Sequence, residues 1–193
     1  MSALADAPRF QPRTREEWRA WLTANHATAT GVWLVTWRRR AGVAEPSLDY
    51  EAQIEEALCY GWIDGIAGTL DERRSKLYFS PRRAGSGWAA TNKARVERLI
   101  AEGRMQPAGL AVIERAKADG SWTLLDSVER LEVPGDLAAA LAANPAAGAN
   151  FAAFPPSARK QLLAWVVTAK RPDTRTRRVA EVVEASARNE RAR

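Results

Sequence analysis

The chain has 193 residues, of which 46% are hydrophobic and 27% charged, and its formal net charge is +6. These proportions are typical of a folded globular protein and exclude a disordered or fibrous chain. With one cysteine and one histidine, an internal disulfide is excluded and a structural zinc has almost no ligands, so we predict no metal and no cofactor. We find neither a secretory signal nor a run of roughly 18–20 apolar residues, so we expect a cytoplasmic protein without a membrane span.

The excess positive charge lies at the C-terminal end. Residues 1–156 carry 19 basic and 19 acidic side chains, whereas residues 157–193 carry 10 basic and 4 acidic ones. This asymmetry fits either a solvated helical surface or a surface that meets an anionic partner.

The first predicted elements are a helix and a strand. Residues 15–25 predict a helix, because Trp18, Trp21 and Leu22 recur at its period. The β-branched and aromatic run 32–37 predicts a strand that is apolar on both faces.

A second helix is predicted over about residues 50–60. Its apolar positions follow the helical period, and we expect its acidic side chains Glu51, Glu55 and Glu56 to face solvent. Gly61 fits the left-handed position that ends many helices.

Two strands follow, and further helices come after them. Strands at about 62–68 and 73–80 predict a meander beside the strand at 32–37. We then expect a helix over about 87–102, capped by Ser86. A second helix should follow and begin at Pro107, because proline suits the first helical position.

The composition shifts at Pro134 to alanine-rich helical segments. We expect Asn144-Pro145 to break the first of them and Ser157 to cap a later helix. The fold class predicted is α+β, with a small, mostly antiparallel sheet, flanking helices and a C-terminal helical unit. The domains predicted are an α+β core over 1–133 and a basic helical unit over 134–193.

One acid embedded among apolar residues is the strongest sign of a site. The period of two places Trp62 and Asp64 on one face of their strand. A buried carboxylate costs several kcal/mol unless it is paired, and Arg82 and Arg83 end the next strand. A ligand-binding acid and a structural ion pair both fit this pattern.

Neighbouring residues complete the predicted binding site. Asn92 lies on the apolar stripe of its helix and needs a hydrogen-bond partner. It therefore either caps a backbone group or faces the cavity beside Asp64. Arginines at a strand end, before a helix start, suit an anionic ligand. We therefore predict that a small or anionic ligand is bound by Trp62, Asp64, Arg82, Arg83, Trp88 and Asn92. No catalytic residue is predicted.

The C-terminal cations form a second, weaker candidate. Side chains that could contact phosphates or another anion are Lys170, Arg171, Arg175, Arg177 and Arg178. No DNA-reading motif accompanies them and no aromatic residues are interleaved with them, so a nucleic-acid partner is not favoured.

Two sets of residues resemble the YdeI/OmpD-associated, bacteriocin-protection family. One set comprises residues 55–65, then 79–83 and Trp88. The other comprises residues 154–157 and the run from Trp165 to Arg178. The resemblance implies protection against antimicrobial peptides or envelope stress, and it brings no established reaction or catalytic residues.

These observations favour a cytoplasmic accessory protein of the bacteriocin-protection or stress-resistance type that binds a small or anionic ligand. Two alternatives stay open, namely an enzyme that uses Asp64 as acid or base, and a nucleic-acid-associated protein that uses the C-terminal helices. No oligomeric state is predicted.

Overall fold

The structure is a computed structural model that describes residue 4, residues 6–38, residues 47–190 and residue 192. The chain forms two compact units, of which the first comprises Met1–Ser86 with Asn92–Asp119. The second comprises Gly87–Thr91 with Gly120–Arg193. The domain boundary expected after residue 133 stays a prediction, which limited proteolysis would test.

The first unit contains a four-stranded sheet in the order β1-β2-β4-β3, and its strands are β1 (Arg9–Phe10), β2 (Val32–Trp37), β3 (Trp62–Thr69) and β4 (Arg74–Pro81). Strand β4 pairs antiparallel with both β2 and β3, while the short β1 pairs parallel with β2. The predicted α+β class with a mostly antiparallel sheet is confirmed, and the sheet is mixed because of β1.

The helices that the structure describes are α1 (Arg15–Asn25), α2 (Tyr50–Cys59), α3 (Ala90–Ala101), α4 (Pro107–Ala118), α5 (Asp126–Glu129), α6 (Gly135–Ala142), α7 (Pro145–Ala153), α8 (Pro156–Val167) and α9 (Pro172–Ala187). The predicted start of α2 is confirmed, since the Asp49 carboxylate accepts a hydrogen bond from the Ala52 amide at 2.8 Å. Gly61 follows α2 with φ of +74°, as the left-handed position requires.

Aromatic side chains fill much of the first unit's core. The Trp18 ring lies 5.3 Å from that of Trp21 and 5.5 Å from that of Phe79, and Trp21 meets the edge of Trp62 at 5.8 Å. These contacts join α1 to β3 and β4, and they bury the face of the sheet that carries Phe79. Such aromatic groups contribute a large share of burial energy in a core.

The second unit has its own apolar core between helices α5 to α9. Its buried residues are Val128, Leu137, Leu141, Ala147, Phe151, Leu162, Leu163, Val166, Val179 and Val182. The predicted helical unit is thus held together by helix packing.

The orientation predicted for the acids of α2 is wrong for two of the three. Glu55 and Glu56 are only 3% and 1% exposed, whereas Glu51 is exposed. Burial of both charges is made tolerable by four arginines, which are Arg15, Arg19, Arg98 and Arg104. The helical period alone does not reveal these partners, because they come from α1, α3 and the loop after α3.

Two predicted helix boundaries are also wrong. Helix α3 begins at Ala90 and not after Ser86, so that Trp88 precedes it. The predicted break at Asn144-Pro145 is confirmed, since α6 ends at Ala142 and Asn144 caps α7, accepting from the Ala147 amide at 3.1 Å. Helix α8 starts at Pro156, ahead of the expected cap Ser157, because proline is itself well placed in a first turn.

Candidate functional site

Asp64 lies on the edge strand β3, opposite Phe79 of β4, and its side chain is half-buried. Among the described residues, its one side-chain hydrogen bond comes from the Tyr50 hydroxyl at 3.2 Å. A register irregularity between Asp64 and Ala67 follows directly. Bulges of this kind often redirect a side chain near a functional site.

Arg82 follows β4 and is 6% exposed. Its amide donates to the Gly61 carbonyl oxygen at 2.9 Å, and its Nη2 donates to the Ser86 carbonyl oxygen at 3.4 Å. Burial lowers the pKa of Arg82 to about 10, while the nearby Asp64 carboxylate acts in the opposite direction. The guanidinium therefore remains charged at neutral pH and lies in the field of Asp64.

Arg95 of α3 places a second guanidinium in the field of Asp64. Its Nε and Nη2 donate to the Glu51 carboxylate at 2.9 and 2.7 Å, and its Nη1 donates to Asn92 Oδ1 at 2.9 Å. The hydrogen bond with Glu51 is the main reason why the pKa of Arg95 is raised, and the charge of Asp64 adds to it. Asn92 thus reaches the site by holding Arg95.

Tyr50 connects the start of α2 to Asp64. The pKa of Tyr50 is raised, first by burial and then by the Asp64 carboxylate. The phenol therefore stays protonated at neutral pH and donates its hydrogen bond to Asp64.

The predicted binding residues do not all meet. Arg82 and Arg95 both lie in the field of Asp64, and Asn92 bonds to Arg95, while the Arg83 side chain is exposed. Trp62 belongs to the aromatic core, where its Nε1 donates to the His26 carbonyl oxygen at 3.3 Å. The predicted ligand-binding role of this set stays a prediction.

Trp88 belongs to the second unit, not to the unit that holds Asp64. There it is buried, and its ring lies 4.9 Å from that of Trp122. Within that unit it is part of the packing.

Sequence reasoning missed Tyr50, Glu51 and Arg95. Arg95 carries a usable signal, because it lies three residues after Asn92 and therefore on the same face of α3. Tyr50 and Glu51 carry none, since only the packing of α2 beside β3 and α3 brings them to the site.

The buried thiol of Cys59 is not an activated nucleophile. Burial raises the pKa of Cys59 to about 11, and Glu56 acts in the same direction. A thiolate is the reactive form, so this cysteine stays inert near neutral pH. The residues that the structure describes include no cluster of three metal-ligating side chains and no helix long and apolar enough to cross a membrane.

Part of the C-terminal cationic set is engaged within the second unit. Arg175 donates to Asp136 at 2.6 and 2.9 Å, and Arg178 donates to the Trp165 carbonyl oxygen at 2.5 Å. Arg177 forms an ion pair with Glu181 at 3.5 Å. Lys170 and Arg171 are exposed at the start of α9. Anion or nucleic-acid contact by these residues stays a prediction.

Comparison with known families separates the chain into two matched regions. Residues 10–112, more than half of the chain, match a domain of unknown function (DUF8412). Residues 130–189 match the family described as bacteriocin-protection, YdeI or OmpD-associated. The motif at residues 55–65 falls in the first region, and the motif between Trp165 and Arg178 falls in the second. No curated protein and no solved structure gives a significant match.

The resemblance inferred from the sequence motifs is confirmed by the second match. The chain therefore belongs to the DUF8412 family through its N-terminal half, and it carries a bacteriocin-protection, YdeI or OmpD-associated domain at residues 130–189.

Proposed function

We propose that this chain is a cytoplasmic accessory protein of the bacteriocin-protection type that binds a small anionic ligand around Arg82. Membership of the family supports the type of protein. Two guanidinium groups that lie in the electric field of one half-buried carboxylate support the binding centre.

Burial of Arg82 is the observation that carries the proposal. A guanidinium that is 6% exposed has lost most of its hydration, and burial shifts its pKa more than the Asp64 carboxylate does. An anion beside it would gain a charge-assisted hydrogen bond in partly desolvated surroundings, where such bonds are strong.

The charge of the site supports an anion over a cation. Arg82 and Arg95 equal Glu51 and Asp64 in number, and the neighbouring Arg83 adds one positive charge. Arg83 is exposed beside the buried Arg82 and can attract an anion from solvent.

Titration calorimetry with citrate and with inorganic phosphate tests the proposal. We expect wild-type protein to bind at least one of them, and two variants to bind it about tenfold more weakly. Arg82→Lys loses the forked guanidinium geometry, and Arg95→Gln loses a charged donor. Arg9→Ala removes an exposed cation from β1 and should leave affinity unchanged.

Binding that is equal in all four proteins, or binding of neither anion by wild-type protein at low salt, would contradict the proposal. Unfolding of each variant by urea shows whether it is folded, so a loss of affinity is not confused with a loss of structure.

A further inference from the structure

A cleft of about 870 Å³ lies in the first unit, where the ends of β2 and β4 meet the start of α2. This volume falls in the range of small-molecule sites, which is roughly 300–1,000 Å³. None of the residues around Arg82 named above lines it except Tyr50, whose hydroxyl is bonded to Asp64. The cleft is therefore a separate candidate site.

The alternation of the strands decides which side chains face the cleft. Thr36 and Ser75 are paired across β2 and β4, their hydroxyl oxygens are 3.3 Å apart, and Leu77 lies on the same face. Lys76 has the opposite orientation, because its Nζ lies 4.2 Å from the centre of the Trp33 ring. Its charge is thus directed away from the cleft.

Neutral polar atoms and apolar walls line the interior. Gln53 is 5% exposed, and its Nε2 donates to the Leu48 carbonyl oxygen at 2.9 Å, so its amide oxygen is the atom left to accept from the cleft. Ser47 Oγ accepts from the Trp37 amide at 3.1 Å and keeps its own proton for donation. The apolar part is formed by Leu48 and Leu77.

Apart from Lys76, the charged side chains among the described residues that line the cleft are Asp49 and Arg38. The Asp49 carboxylate accepts from the Ala52 amide through Oδ1, and the Arg38 guanidinium donates through Nη2 to Thr69 Oγ1 at 2.6 Å. Within the described part of the chain, no ion pair joins Arg38 to Asp49. Both residues line the cleft, and each has further polar atoms for a ligand.

We propose that this cleft binds a small zwitterion of the α-amino acid or dipeptide type. The ligand's carboxylate meets the guanidinium of Arg38, and its ammonium group meets Asp49 and the amide oxygen of Gln53. Its apolar side chain packs against Leu48 and Leu77. One ligand of this kind pairs with both charged side chains and also contacts the polar and apolar walls of the cleft.

The test uses three probes that differ only at their ends, namely the dipeptide leucyl-leucine, its N-acetyl derivative and its C-terminal amide. We expect the free dipeptide to bind in titration calorimetry, and each capped form to bind about tenfold more weakly, because each loses one charged contact. Amide NMR shifts should change at residues 36–38, 47–53 and 75–77.

Two variants show which end of the ligand meets Asp49 and which meets Arg38. Asp49→Ser keeps a good helix cap while removing the charge, and it should remove the advantage of the free over the acetylated dipeptide. Arg38→Gln should remove the advantage of the free dipeptide over the amide. Arg13→Ala, an exposed arginine outside the cleft, is the matched control and should preserve both advantages.

Equal binding of all three probes, no binding of the free dipeptide, or NMR shifts confined to other residues would overturn the proposal. Citrate binding around Arg82 is measured independently, so the failure of one site leaves the other result unaffected.

Discussion

At the scale of single residues, the pair Glu55 and Glu56 shows how far tertiary contacts alter a local pattern. Glu56 receives hydrogen bonds from Arg15 at 2.5 Å, Arg19 at 2.8 Å and Arg104 at 2.6 Å. Glu55 is bonded to Arg15 and Arg98. The arginines remain about one-third exposed or more, so they keep water on one side while covering the acids.

Replacing Glu56 by glutamine tests this network. The variant removes the negative charge that three guanidinium groups share and turns one acceptor oxygen into a donor, so we expect it to lose about 2 kcal/mol of unfolding free energy. Glu102 is 42% exposed and contacts only Arg104 among these arginines, so Glu102→Gln should lose less than about 0.5 kcal/mol. Urea unfolding of both variants measures the difference, and equal losses would contradict a structural role of the buried acid.

At the scale of elements, the sequence predicts the helices and strands of the first unit well. Periodicity locates α1, α2 and β2 to β4, because each has a strong apolar face or an apolar core on both sides. It does not find β1, which has two residues and is held only by pairing with β2. A strand this short has no periodicity of its own.

Close packing of α4 on α2 depends on one glycine. A Cβ at Gly109 would lie 2.3 Å from the Cys59 carbonyl oxygen and 2.8 Å from the Leu58 carbonyl oxygen. Both atoms belong to the backbone, so they cannot move aside as a flexible side chain could.

We expect Gly109→Ala to lose at least about 2 kcal/mol of unfolding free energy, because the two helices must separate. Gly65→Ala is the control, since its Cβ would meet its nearest atom, the Tyr78 carbonyl oxygen, at 3.7 Å. This control should stay within about 0.5 kcal/mol of wild type. Chemical unfolding measures both variants. An alanine at residue 109 that costs no stability would show that α2 and α4 leave room for a Cβ and would contradict this close packing.

At the scale of the whole molecule, acid should destabilise the chain. Carboxyls whose pKa is lowered chiefly by a hydrogen bond from a cation include Glu51, Glu129 and Asp136. A group whose pKa is lower in the folded state contributes stability above its ordinary pKa, and this contribution is lost as the pH falls through the folded value.

The free energy of unfolding should therefore begin to fall near pH 4.5, the ordinary pKa of a glutamate, and decrease further on acidification. Arg175→Gln removes the donor to Asp136, so its profile should be flatter below about pH 4. Urea unfolding at a series of pH values measures both profiles. Stability that rises on acidification, or a variant profile parallel to that of wild type, would contradict this prediction.

The sequence also identifies the family and the surroundings of Asp64, but only part of the site. Asp64 and Arg82 are evident because a charge in an apolar strand needs compensation. Tyr50 bonds to Asp64 through the packing of α2 beside β3, which no local pattern encodes, and the signal for Arg95 is its spacing from Asn92. The cleft beside α2 is likewise formed by elements that are distant in sequence.

The binding centre around Arg82 is tested most directly by NMR of the arginine side-chain Nε–Hε groups during a citrate titration. We predict that the Nε–Hε signals of Arg82 and Arg95 shift together and saturate, while the Arg9 signal does not move. Signals of Arg82 and Arg95 that stay constant while citrate is added would contradict the account, because no anion would then approach either guanidinium.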